Sequence, residues 1–124
     1  MPTMTALSIK APWSRMIRDG EKTIEIRNWY TSYRGSLLIC SSRTPDKRNL
    51  RDGEDPGPLG MALCIADLVI CRQATKDDEA AACCVVWERD YAFVLANVRP
   101  LAKPFPVCGQ LGLFKVEVPE GVVP

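Results

Sequence analysis

The chain has 124 residues, 47% hydrophobic and 25% charged, with 16 basic residues against 15 acidic and a net charge of +1. That length predicts one domain over residues 1–124 built on a single core. The charge balance excludes a protein that grips long duplex nucleic acid by its overall field, and leaves room for a local basic cleft.

Residues 4–10, MTALSIK, read as a short strand. APWSRMIRDG follows as a two-turn helix, with Pro12 suited to its first turn and Gly20 to its end. Trp13, Met16 and Ile17 form its one apolar stripe. KTIEIRNW alternates with period two, so Glu25 and Arg27 share one face and Ile24 and Ile26 the other. GSLLICSS, after the Tyr33–Arg34–Gly35 turn, is a second strand expected to pair with the first. Residues 43–58, RTPDKRNLRDGEDPGP, form a long polar surface loop, either functional or mobile.

GMALCIADLVICR reads as a long strand buried on both faces for much of its length. TKDDEAAACCVVW opens a helix, with Thr75 three residues before Asp78. YAFVLANVR is another strand, RPLAKPFPVCGQLG a proline-punctuated turn region, and LGLFKVEVP a final alternating strand. Five or six strands with only short helices predict an α+β chain that is mostly β. The expected form is a small, mixed but mostly antiparallel barrel with peripheral helices.

The absence of histidine removes Ser–His–Asp and Cys–His catalysis and histidine metal sites. Six cysteines lie at 40, 64, 71, 83, 84 and 108, four of them in apolar runs, with no CxxC pair and no zinc spacing. They read as free, buried thiols of a reducing cytosol, so neither a metal nor another cofactor is expected. No apolar run approaches the roughly 18 residues of a membrane span. The N-terminus lacks the basic and apolar regions of a signal segment, so a cytoplasmic protein is expected, without membrane contact.

GEKTIEIR, residues 20–27, resembles the G-x-K-x-x-E-x-R signature of ASCH domains. The segments ALSIKAPW, WYTSYRGSLLI, YAFVLANVRPL and GQLGLFKV resemble other family segments in the same order, covering nearly all the chain outside 43–58. The resemblance implies a PUA-like β-barrel, similar to RNA-binding modules, with the signature at a cleft between barrel and helix. Some small relatives hydrolyse the acetyl amide of N4-acetylcytidine, and ribonuclease activity is associated with others.

The residues themselves are consistent with a cleft. Glu25 and Arg27 together offer acceptors and a planar donor fork that suit a base edge or a phosphate. Strict alternation puts Lys22 on the other face, so it joins them only if the chain turns between Gly20 and Thr23. The contrary reading is a solvated surface ion pair. Lys10 is a candidate phosphate contact and Trp29 a stacking surface for a base; Trp13 fits better as core. Tyr33 and Arg34 are either turn chemistry or ligand contacts. Ser41 and Ser42 end a strand where many relatives carry a histidine, replaced here by Cys40; the Ser41 hydroxyl is a candidate hydrogen-bond partner for a ligand, or else part of an ordinary strand terminus. Asp67, inside an apolar strand, must be paired, cleft-facing, or at a point where the strand surfaces. Arg43, Lys47, Arg48 and Arg51 give the long loop a basic run, diluted by acidic neighbours.

Three readings of function follow. In the first, RNA or a modified nucleoside or nucleotide binds in a cleft built on Lys22, Glu25 and Arg27. In the second, the chain is an N4-acetylcytidine-type amidohydrolase, or a ribonuclease, with Lys22 and Glu25 catalytic. The threonine nucleophile of such relatives stands at the Glu25 position, so the mechanism would differ; their carboxylate has no secure match among Asp77, Asp78, Glu79 and Glu88. In the third, the chain is a protein-interaction module that uses the 43–58 loop.

Overall fold

A computed structural model describes residues 2–122. The elements in chain order are β1 (Thr3–Ile9), α1 (Trp13–Arg18), β2 (Ile24–Arg27), β3 (Gly35–Ser41), β4 (Met61–Gln73), α2 (Glu79–Ala82), β5 (Tyr91–Pro106) and β6 (Leu113–Glu117). The strands form one curled sheet in the order β2-β5-β4-β3-β1-β6. Only β1 and β3 run parallel; the other pairs are antiparallel. The strand pattern predicts a mixed, mostly antiparallel barrel; the six strands form it as a curled half-barrel, with two small helices beside it.

The continuous apolar runs have a plain cause. Leu37 and Ile39 of β3 join one buried cluster with Leu7, Ile9 and Phe93. Leu38 and Cys40 join another on the opposite face with Ala6, Phe105 and Phe114. A central strand covered on both sides cannot alternate. Helix α1 closes the first cluster through Ile17, which is fully buried. All six cysteines are free; burial pushes the Cys40 and Cys64 thiols up to about 12.

Two local expectations are corrected. β2 does not pair with β3 but with β5, through Ile24–Val94 to Arg27–Tyr91, while β3 lies between β1 and β4. Residues 100–106, expected to form turns, instead continue β5. β2 covers one edge of β5 only as far as Val94, so beyond it that edge has no ladder to lose at Pro100, Pro104 or Pro106.

At the helix start, Asp78 accepts from the Thr75 backbone N–H at 2.8 Å and from both Arg72 terminal nitrogens at 2.8 Å. Arg72, then that N–H, lowers its pKa from the usual 3.8 to about 2. A depressed carboxylate stabilises the fold fully above its unfolded pKa and loses that contribution as pH falls through the folded value. Asp78→Asn is therefore expected to flatten the acid limb of the stability–pH curve between about pH 4 and 2, measured by urea unfolding at each pH.

Candidate functional site

A cleft of about 720 Å³ opens where the two ends of the curled sheet face each other. One wall is the edge strand β2, with Glu25, Ile26 and Arg27. The opposite wall is the end of β1, Ser8 and Ile9, and the turn 108–112 that leads into β6. Trp13 of α1 forms another side, and Lys10 and Arg43 also line the cleft.

Gly109 lets the 108–112 turn approach β1 this closely: a Cβ there would lie 2.7 Å from Ser8 Oγ. The β1–β6 ladder ends at Leu7–Leu113, which leaves the Ser8 carbonyl beyond it. Arg27 Nη2 donates to that carbonyl at 2.8 Å, so one side chain clasps the seam between sheet ends.

The signature charges converge behind this wall. Glu25 Oε2 lies 3.0 Å from Arg27 Nε, although the N–H is not aimed along the contact, and Oε1 lies 3.6 Å from Lys22 Nζ. The turn that brings Lys22 round is set by Gly20 at φ +82°, and the Glu21 and Lys22 amides both donate to the Met16 carbonyl. Lys22 is 1% exposed; its Nζ donates to the Ala82 carbonyl and sits 5.0 Å from the centre of the Trp13 ring. It is absent from the cleft lining, because the indole lies over it.

Trp13 is itself held. Its Nε1–H donates to Asp46 Oδ2 at 3.3 Å, and the Asp46 amide donates to the Ala11 carbonyl at 2.7 Å. The Asn49 amide, then the indole and the Arg48 backbone N–H, hold the Asp46 carboxyl below its usual range. Arg15 pins the same loop through Glu54 at 2.6 Å. The long loop is thus tied to α1, and its Arg43 and Thr44 line the cleft.

Lys10, Glu25 and Arg27 line the cleft, and Lys22 backs it. Of the other sequence candidates, Ser42 and Arg43 also line it, whereas Trp29, Tyr33, Arg34, Ser41 and Asp67 do not. Trp29 packs edge-on against Phe93, ring centres 5.1 Å apart, because it follows β2 onto the core side. Tyr33 donates its hydroxyl to the Ser36 carbonyl at 2.6 Å, and Arg34 bonds the Thr31 and Tyr33 carbonyls, so both staple their turn. Ser41 is buried and accepts from Ser14 at 3.0 Å; its neighbour Ser42 lines the cleft and bonds Ser8 at 2.9 Å. Asp67 sits where β4 surfaces, beside a register shift, paired with Arg99 at 3.2 Å; Arg99, then Asn97, lower its pKa.

Trp13, Ile26 and the 108–112 turn are cleft residues that the sequence pattern assigned elsewhere: to the core, to the face opposite Glu25 and Arg27, and to a plain turn. A signal for the turn exists in CGQLG: Leu111 stands between glycines on a polar turn and is fully exposed.

The ASCH domain model matches residues 7–105. Activating signal cointegrator 1 from Homo sapiens is 27% identical over 128 residues, covering 90% of this chain but only 22% of that protein. The Mus musculus protein is 25% identical over 127 residues, with the same coverage. The chain thus spans under a quarter of the length of these relatives. Among solved structures, ASCH from Zymomonas mobilis superposes with a TM-score of 0.68 at 15% identity, covering 91% of this chain and 87% of that one. With the family pattern matched over most of its length and the curled sheet shared, this chain belongs to the ASCH domain family.

Proposed function

We propose that the cleft binds single-stranded RNA, or a nucleotide or nucleoside with a modified base, through an anionic and a planar part of the ligand. The observation that carries this reading is the charge balance of the cleft. Lys10, Arg27 and Arg43 line it against one carboxylate, Glu25, and that carboxylate is already engaged by Arg27 and by Lys22 behind the wall. A concave surface with surplus positive charge focuses an anion. Arg27 Nη1 has no protein acceptor among the described residues, so the guanidinium retains a donor for phosphate or a base edge. The Trp13 wall supplies a face for a planar ring.

Binding is favoured over hydrolysis because Lys22 has no open side. A catalytic lysine must meet its substrate, and this one is covered by the indole and bonded to the Ala82 carbonyl. Its role in this reading is to position Glu25.

The test is titration of a labelled single-stranded RNA of about eight nucleotides, within the site sizes of single-strand binders, alongside an N4-acetylcytidine turnover assay. Arg27→Ala should weaken binding about tenfold and reduce the salt slope by about one. Arg27→Lys should not restore it, because an ammonium lacks the planar fork. Unchanged binding in Arg27→Ala overturns the reading. Turnover by the wild type that is lost in Lys22→Ala replaces it with the hydrolase.

A further inference from the structure

We propose that a strand held in the cleft continues across β2 into a second, base-reading pocket formed by Asn28, Gln73, Arg89 and Tyr91. This extends the RNA-binding reading above and rests on it. The second pocket encloses about 540 Å³ and also includes Glu88. Consecutive residues line the two openings: Arg27 the cleft and Asn28, just past the end of β2, the pocket. β2 is an edge strand, so no further strand of the sheet lies beyond it on its free side.

The lining chemistry is that of a base site. Asn28, Gln73, Glu88 and Arg89 are exposed, and their one mutual bond among the described residues is a long 3.4 Å contact from the Gln73 amide to the Glu88 carbonyl. Two carboxamides present donors and acceptors together, as a base edge requires. Tyr91 is half-buried and fixed by an edge-on contact with Tyr30, ring centres 5.8 Å apart. Arg34 lies over Tyr30 in turn, 5.9 Å from the ring centre.

The aromatic surface beside the pocket is open to solvent. Tyr30 is 53% exposed and Trp87 70% exposed. Trp87 does not hang on a loose loop: its amide donates to Asp90 Oδ2 at 2.8 Å, and the Asp90 amide donates back to the Trp87 carbonyl at 3.0 Å. Exposed rings, Trp87 on a tight turn and Tyr30 against Tyr91, with Arg89 and Arg34 nearby in the chain, are the elements on which single-stranded bases stack. Glu88 and Asp90 interrupt the positive charge, which disfavours a duplex backbone and admits a single strand whose bases face the protein.

The test compares a nucleoside monophosphate, which reports the cleft alone, with a single-stranded RNA of about eight nucleotides. The variant Gln73→Ala/Arg89→Ala removes two exposed side chains, and its thermal melt is expected to match the wild type. It should weaken the longer RNA about tenfold and leave the monophosphate unchanged, whereas Arg27→Ala should weaken both. Unchanged affinity of the longer RNA in the double variant overturns the second pocket, and is the result expected if the patch instead receives a protein. Affinity for the longer RNA that falls in the double variant but not in Arg27→Ala overturns the cleft reading, and with it a strand shared by both pockets.

Discussion

Glu25→Ala should destabilise the protein by about 3–5 kcal/mol, the range for removing one partner of a buried ion pair. Glu25 is 6% exposed and Lys22 1% exposed, so the pair is largely withdrawn from water. The variant leaves the Lys22 ammonium with only the Ala82 carbonyl and the indole face. Adding Lys22→Met to Glu25→Gln should recover much of the loss, since an apolar side chain of similar length removes the stranded charge. Urea unfolding of the wild type, the Glu25→Ala and Glu25→Gln variants and the double variant measures each step. A Glu25→Ala variant as stable as the wild type would show that the three charges do not depend on one another.

Trp13→Ala should expose Lys22. In the wild type an amine-reactive reagent is expected to pass over this lysine while modifying exposed Lys10, Lys47, Lys76 and Lys103. Without the indole, Lys22 should appear among the labelled sites by mass spectrometry of peptides. The same change should weaken RNA binding by about 1–3 kcal/mol if a base stacks there. Trp13→Phe retains a ring without the bond to Asp46, so it separates cover from tether. Lys22 labelled equally in wild type and Trp13→Ala would remove the indole from its proposed role as cover.

Much of the fold was legible in the sequence because side-chain period reports burial. The apolar runs LLIC and ALCIA mark central strands, and LFKVE marks an edge strand. Pairing partners were not legible: which strand lies beside β2 depends on how the sheet curls, and nothing in KTIEIR encodes Phe93 as its neighbour. The prolines misled for a related reason, since a proline breaks a strand only where its missing N–H has a partner to lose. In the site, the period-two rule joined Glu25 to Arg27, and the glycine marked the turn that returns Lys22. Trp13 was harder to assign. An indole on an apolar helix stripe looks like core from the sequence, and it does cover buried groups with one side while the other lines the cleft.

The open seam has a consequence for the whole molecule. A closed barrel joins its first and last strands by a ladder of backbone bonds, whereas here the guanidinium of Arg27 reaches across to Ser8 from one lip of the gap to the other. A ligand that contacted both lips would add to this single bond across the gap, and its binding to the folded chain alone would raise the stability of the whole sheet.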